Sequence, residues 1–165
     1  MKATFWAVLF LICLPSIKID HNEQKTIELA NGVTFKIDQE NISVDTFQKK
    51  PSSYIFNDIS FFGNEPGFGF CCEDAPQTKV KYAYITINDK QINLDVSLMY
   101  NPNFPTLNQN SFKVIKKNDI YIIVGRFSDG MGAYVTQWII IGNKSYRTII
   151  SNKENIFKDL FSISD

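Results

Sequence analysis

Apolar and polar side chains alternate with a period of two over several stretches of this chain. The segment 91–99 shows the pattern most cleanly, because every second residue in it is aliphatic: Ile92, Leu94, Val96 and Leu98. Alternation of this kind is typical of a β-strand with one face on a core and the other in water. We therefore predict a mainly β fold of the α+β class.

Short turn signals between the alternating stretches predict two hairpins. A first hairpin is predicted over residues 26–37, around Asn31-Gly32, a pair that tolerates the positive φ of a type I′ turn. A second hairpin is predicted over residues 79–99, around a turn at residues 88–90.

Four further strands are predicted at residues 112–116, 120–128, 133–141 and 145–150. The connections between them are too short for a crossover, so neighbouring strands must run antiparallel. Within them, the segments 120–124 and 139–141 are apolar without alternation, which predicts central strands covered on both faces. Together with the hairpins, these strands predict an antiparallel β meander of about six strands.

A C-terminal amphipathic helix is predicted after residue 151. Ser151 and Glu154 have the spacing of a capping box, in which the serine hydroxyl accepts the third backbone N–H and the glutamate returns to the first. Apolar residues then recur at helical spacing, at Ile156, Phe157, Leu160 and Phe161. We expect this helix to cover the second face of the central strands.

Residues 1–20 have the pattern of a secretory signal peptide. Lys2 precedes an apolar run over residues 3–14, which has the length of a signal-peptide hydrophobic region. The run is shorter than the roughly 20 residues that a helix needs to cross a membrane. We therefore expect a periplasmic or secreted protein without a stable membrane span, and a single β-rich domain over residues 21–165. The alternative is that residues 3–14 form a buried strand or helix of the domain.

The cysteines add two further alternatives. A lipid anchor at Cys13 is disfavoured, because Ile12 occupies a position where a small residue is expected. Removal of the signal would leave the adjacent pair Cys71-Cys72. In an oxidising compartment these thiols close into a vicinal disulfide, or both stay reduced with one of them buried. The sequence leaves both states open.

The charge balance argues against several classes of function. Seventeen Lys and Arg residues are matched by seventeen Asp and Glu residues, so the chain lacks the basic excess typical of nucleic-acid binding. One histidine and three cysteines exclude most histidine-rich metal sites and zinc ribbons, and we expect no cofactor. No segment matches a metalloprotease helix motif, a phosphate-binding glycine loop or a nucleophile elbow. We therefore expect a protein that is not an enzyme.

Two loops rich in aromatic residues, glycine and proline form the candidate binding region. The candidate contact residues of the first loop, residues 59–76, are Phe61, Phe62, Phe68, Phe70, Cys71, Cys72, Glu73 and Asp74. The second loop, residues 99–105, offers Tyr100 and Phe104. If both loops emerge at one end of the sheet, their rings form an exposed apolar patch, the usual mark of a protein-binding site. The alternative is that the rings fill the end of the sheet itself.

Arg126 and Asp129 are the charged candidates for binding. Arg126 and Arg147 are expected on neighbouring strands, where they pair with Asp95 or Asp129 or contact an acidic partner surface. Asp129 lies in the segment 128–132, which has the residues of a turn and lacks the oxygen spacing of a calcium loop.

The segment from Arg126 to Trp138, with residues 147–150 after it, resembles small exported proteins of Gram-negative bacteria. Some of these proteins are periplasmic immunity partners of secreted antibacterial toxins. The resemblance implies a binding role, in which a stable exported domain occludes the active site of another protein. No family motif assigns functional residues, so none is carried over. The expected function is an exported, non-enzymatic protein-binding domain, with a toxin or another exported protein as its partner.

Two other functions would use the same loops. A small-molecule or glycan-binding periplasmic module would use the aromatic rings as a stacking platform. A carboxylate-based hydrolase would use the acidic loop residues Glu65, Glu73, Asp74 and Asp129.

Overall fold

The structure is a computed structural model, and it describes residues 23–42, 53–56, 59–62, 65–69 and 76–162. The expected signal peptide and the Cys71-Cys72 pair lie outside the described residues. In the described part of the chain, no helix has the length and apolar character needed to cross a membrane.

The described residues form two four-stranded antiparallel sheets, a small three-stranded sheet and one C-terminal helix. The strands are β1 (Glu23–Glu28), β2 (Val33–Asn41), β3 (Ser53–Phe56), β4 (Ile59–Phe62), β5 (Glu65–Gly67), β6 (Thr78–Ile87), β7 (Lys90–Leu94), β8 (Phe112–Lys117), β9 (Ile120–Phe127), β10 (Tyr134–Ile141) and β11 (Lys144–Ser151), and helix α1 spans Glu154–Ser162. The first sheet has the order β1-β2-β6-β7, the second β11-β10-β9-β8, and the small sheet β3-β4-β5. The predicted mainly β class with a C-terminal helix is confirmed.

The second sheet is the predicted meander, but the first sheet is not. Strands β8 to β11 pair in chain order, with bounds within one residue of those predicted. In the first sheet, β2 pairs with β6 across an insertion that contains β3, β4 and β5. The expected single meander of about six strands is therefore corrected to two four-stranded sheets and a small three-stranded sheet. The alternation of apolar and polar residues shows which segments form strands, but it does not determine which distant segments pair with each other.

The two four-stranded sheets pack face to face around an aromatic core. Phe35 on β2 lies 4.5 Å from Phe112 on β8, measured between ring centroids, and 6.5 Å from Trp138 on β10. Trp138 and Tyr134 are fully buried. Their burial follows from the alternation, which directs every second residue of each strand towards the opposing sheet.

Helix α1 covers part of the outer face of the second sheet, as predicted. Leu160 is buried against Val124 of β9 and Val135 of β10. The predicted capping box is wrong. Helix α1 begins only at Glu154, and Ser151 is still the last residue of β11, where it pairs with Val135. The Ser151 hydroxyl accepts a hydrogen bond from the N–H of Lys153 at 3.1 Å.

The turn residues behave largely as predicted. Asn31 and Gly32 both have positive φ, of 60° and 68°, although the loop is one residue longer than expected because Leu29 pairs with Val33. The second hairpin has the expected turn, but β7 ends at residue 94 instead of 99. There the Asp95 carboxylate accepts the N–H of Ser97 at 2.9 Å and turns the chain out of the sheet.

The segment 59–76 was expected to be a long connection, but it contains β4 and β5. Pro66 lies in β5, at the edge of the small sheet, where its missing N–H interrupts no pairing between strands.

Candidate functional site

The two aromatic loops meet at one end of the sheets, and backbone hydrogen bonds join them. The N–H of Phe68 donates to the carbonyl of Leu98 at 2.8 Å, and the N–H of Tyr100 donates to the carbonyl of Phe68 at 2.9 Å. The Asn101 side-chain amide donates to the carbonyl of Gly69 at 2.9 Å. Gly69 is required here, because a Cβ would lie 1.9 Å from the Tyr100 carbonyl oxygen and because its φ is +99°.

The meeting of the loops does not expose Phe68 and Phe104. Phe68 is 4% exposed and Phe104 is 1% exposed, and the Phe68 ring lies 6.1 Å from that of Tyr134 in the core. The expectation that these two rings contact a partner is therefore corrected: they fill the end of the core, as the alternative interpretation held. Both rings belong to the core cluster between the two four-stranded sheets.

The other candidates of these loops are placed as follows. Tyr100 is half-buried at the junction. Phe61 and Phe62 lie in β4, and their side chains lie outside the described part of the structure, as does the side chain of Glu65 in β5. The remaining candidates of the first loop lie outside the described residues: Phe70, Cys71, Cys72, Glu73 and Asp74.

Arg126 and Asp129 both line a groove of about 330 Å³ between residues 102–111 and the end of β9. The side-chain amide of Asn103 donates to Asp129 at 3.0 Å. The Arg126 guanidinium lies over the ring of Phe157 in α1, 5.9 Å from its centroid. Both charged candidates are thus at the surface, and each already has a neighbour within the chain.

Arg147 and Arg126 lie on opposite faces of the second sheet. The two arginines were expected on neighbouring strands, but β10 lies between β9 and β11. Arg147 faces the first sheet, where it forms an ion pair with Asp95 at 3.1 Å, one of the two partners expected. It also donates to the Ser97 hydroxyl at 2.8 Å. Arg126 lies on the opposite face of the sheet, over the helix.

An exposed apolar surface lies on the outer side of the second sheet, beyond the end of α1. We define the isoleucine face as the outward-facing residues Ile120, Ile122, Ile139, Ile141 and Tyr146 of the second sheet. Ile122 pairs with Ile139, and Ile120 pairs with Ile141. Ile141 is 51% exposed, Tyr146 is 50% exposed and Ile120 is 39% exposed.

The length of α1 explains why this face is open. A helix of nine residues is about 13 Å long, whereas a strand of eight residues spans about 26 Å. The helix therefore covers the row around Val124 and Val135 and leaves the far ends of β9 and β10 in solvent. Sequence reasoning predicted that these strands were covered on both faces and so missed the site. The comparison of helix and strand lengths could have found it.

Lysines flank the most exposed row of the isoleucine face. Lys117 pairs with Ile120 from one side, and Lys144 pairs with Ile141 from the other. Both lysines are exposed. The nearby Asp119 lines a separate depression together with Lys116 and Tyr121, whose side chains belong to the inner face of the sheet. The direct strand partners of the two exposed isoleucines on the neighbouring strands are therefore both cationic.

Within the described ranges, no group of three or more His, Cys, Asp and Glu side chains could hold a metal ion. No known protein family, curated protein or solved structure matches this chain.

Proposed function

We propose that this chain is an exported, non-enzymatic protein-binding domain that binds its partner through the isoleucine face. The observation that supports the proposal is the exposure of Ile120 and Ile141 as a cross-strand pair on an open sheet surface. Exposed aliphatic area costs about 25 cal/mol per Å², which is recovered when a partner covers it. A contiguous surface of this kind is typical of interaction sites, whereas single exposed aliphatic residues are ordinary.

The partner chemistry follows from the rim of the face. Lys117 and Lys144 carry positive charge beside the exposed isoleucines, so the complementary surface presents apolar side chains flanked by carboxylates. The segment of the partner that binds here is therefore amphipathic, with acidic residues beside its apolar side chains. Salt weakens the association, because the lysines act at the solvent-exposed rim.

The sequence features agree with a binding role outside the cytosol. The apolar run at residues 3–14 has the length of a signal-peptide core, and the resemblance to exported immunity proteins implies occlusion of another protein. Expression of the full chain in a Gram-negative host, followed by N-terminal sequencing of the periplasmic product, tests the export step. We expect cleavage near Ser16; an intact N-terminus on a cytosolic product would contradict export.

Binding itself is tested with a pair of variants on opposite sheets. Ile141→Asp places a carboxylate in the centre of the exposed row, and Tyr82→Ala alters a comparably exposed residue on the first sheet. A partner isolated from the periplasm of the source organism is purified and titrated against each protein by calorimetry. We expect a saturable complex for the wild type and for Tyr82→Ala, and a loss of at least tenfold in affinity for Ile141→Asp.

Two results would overturn the assignment of the isoleucine face. One is equal affinity of the purified partner for the wild type and for Ile141→Asp, with unchanged circular dichroism. The other is a concentration-dependent dimer that Ile141→Asp abolishes in light scattering, which would make a second copy of the chain the occupant. For the wild type alone we expect a monomer.

A further inference from the structure

The outer face of the first sheet carries an aromatic pair that the proposed protein-binding site does not use. Tyr82 and Tyr84 lie two residues apart on β6, so both side chains leave the same face of the sheet. Their rings are nearly parallel, with an interplanar angle of 14° and centroids 6.4 Å apart. Tyr82 is 39% exposed and Tyr84 is half-buried.

The strand register places hydrogen-bonding groups beside these rings. Asp38 on β2 is the direct partner of Tyr82, and Gln24 on β1 is the direct partner of Asp38. The side-chain amide of Gln24 donates to the Tyr82 hydroxyl at 3.0 Å. Lys36 is the partner of Tyr84, and its ammonium lies 5.7 Å from the centre of that ring.

Asp38 has an unused acceptor at this place. It is 7% exposed, and its Oδ1 atom has no hydrogen-bond partner among the described residues. The neighbouring Asp38 carboxylate is the largest cause of the raised pKa of Tyr82. A buried carboxylate oxygen without a donor is costly, so a hydroxyl group that reached it would be bound favourably.

Two of the acidic groups on this face have partners within the chain. Glu40 forms an ion pair with Lys79 at 3.0 Å, and Glu28 accepts a hydrogen bond from Thr34 at 2.8 Å. Beside the tyrosines themselves, the acidic Asp38 and the basic Lys36 balance each other, so the local charge does not favour a phosphate or a uronic acid. The sheet face offers aromatic ring faces, which attract C–H groups, together with an amide and a carboxylate, which bind hydroxyl groups.

We propose that the outer face of the first sheet is a binding site for a neutral glycan. The rings of Tyr82 and Tyr84 stack against sugar rings, and a sugar hydroxyl donates to Asp38 after the exposed Gln24 side chain rotates away. The site differs from the glycan platform expected in the aromatic loops, whose Phe68 and Phe104 rings are buried. It is also separate from the isoleucine face, which belongs to the other sheet.

Affinity electrophoresis of the purified chain tests this site. The gels contain soluble arabinoxylan, β-glucan, galactomannan or glycol chitin, with alginate as an anionic comparison. We expect at least one of the neutral polysaccharides to retard the wild-type protein. For that polysaccharide, Tyr82→Ala and Tyr84→Ala each weaken binding by at least tenfold, and Asp38→Asn weakens it by a smaller factor.

The matched control is Tyr146→Ala, which removes an exposed tyrosine from the second sheet. Its retardation should equal that of the wild type, and so should that of Ile141→Asp, which separates this site from the protein-binding face. Unfolding midpoints verify that each variant is folded. Retardation by alginate alone, by none of the polysaccharides, or to an equal extent for wild type and both tyrosine variants would overturn the proposal.

Discussion

Arg147 and Asp95 form an ion pair at 3.1 Å that links the edge strand of one sheet to the end of the edge strand of the other. Arg147 belongs to β11, and Asp95 follows β7 directly. The Arg147 side chain is only 12% exposed and also donates to the backbone carbonyl and the hydroxyl of Ser97. Beside it, the indole N–H of Trp138 donates to the Asp95 carbonyl at 2.9 Å. This cluster closes one side of the two-sheet core.

The planar guanidinium of Arg147 is the part of this cluster that another cation cannot replace. Arg147→Lys keeps the charge but cannot donate in parallel to Asp95 and Ser97, so we expect a loss of about 1–2 kcal/mol in the free energy of unfolding. Arg147→Ala should lose about 2–3 kcal/mol. Urea denaturation measures both, with Lys144→Ala on the same strand as the surface control. Equal stability of Arg147→Lys and the wild type would contradict this view of the cluster.

The same ion pair makes stability depend on acid pH. Burial opposes the ionisation of Asp95, but the Ser97 N–H and hydroxyl and the Arg147 charge outweigh it, so the pKa of Asp95 lies below its ordinary value of 3.8. The stabilisation is therefore fully present above the unfolded pKa and is lost as the pH falls through the lower folded pKa.

The corresponding measurement compares the wild type with Asp95→Asn, which keeps an acceptor for Ser97 but removes the charge. We expect the wild type to be the more stable protein near neutral pH and the difference to shrink between about pH 5 and pH 2. A difference that stays constant over this range would show that the Asp95 charge does not contribute.

Most of the second sheet could be predicted from the sequence, because its information is local. Alternation fixes which face of each strand is buried, and short turns such as the one at Gly142, with φ of 60°, fix which strands pair. The pairing of β2 with β6 could not be predicted, since it joins segments separated by more than thirty residues. No local signal distinguishes this partner from other strands of similar alternation.

The candidate site was harder to predict than the fold. A loop of glycines and aromatic residues has the same composition whether its rings are exposed or buried. In the folded chain the backbone of Gly69 lies against that of Tyr100, and the adjacent Phe68 ring is buried in the core. Conversely, Ile141 is of a residue type that is usually buried, but it is exposed because helix α1 ends before reaching it. Both outcomes depend on tertiary distances that residue type does not encode.

The Asn101 side chain forms hydrogen bonds that link the two aromatic loops to each other and to the start of β6. Its side-chain oxygen accepts the N–H groups of Gln77 and Thr78 at 3.0 and 3.1 Å, and its amide donates to the carbonyl of Gly69. Asn101 also has a φ of 39°, which asparagine tolerates better than alanine does. We expect Asn101→Ala to cost about 2–3 kcal/mol and to speed amide hydrogen exchange at residues 68–69.

The contribution of the amide donor can be separated from that of the acceptor. Asn101→Asp keeps the oxygen that binds Gln77 and Thr78 but loses the donor to Gly69. It should therefore speed exchange at residues 68–69 more than at residues 77–78. Asn110→Ala, at an exposed position in the same loop region, serves as the control, and exchange rates unchanged in Asn101→Ala would refute the assigned role.

Gly125 leaves room for two aromatic rings, those of Phe112 and Phe127, to pack in the core. A Cβ at this position would lie 2.7 Å from Phe127 Cε2 and 2.9 Å from Phe112 Cε1, both shorter than real contacts. We expect Gly125→Ala to destabilise the protein by about 1–3 kcal/mol through overpacking. Since Phe112→Leu removes one of the clashing rings, the double variant should lose less than the sum of the two single losses. Additive losses in urea denaturation would contradict the steric explanation.

Thr136 offers the opposite test, a substitution that should stabilise the protein. Its side chain is fully buried between the sheets, and its hydroxyl has no hydrogen-bond partner among the described residues. Thr136→Val replaces this hydroxyl with a methyl group of similar size, so the cost of burying an unpaired polar group disappears, and we expect a gain of about 1 kcal/mol. The comparison is Thr148→Val at an exposed position of β11, because the Thr148 hydroxyl donates to the Gln137 side chain at 2.8 Å and its removal should cost about 1 kcal/mol. Thermal and urea unfolding of the two variants should therefore shift in opposite directions, and a loss of stability in Thr136→Val would mean that its hydroxyl is hydrogen-bonded in solution.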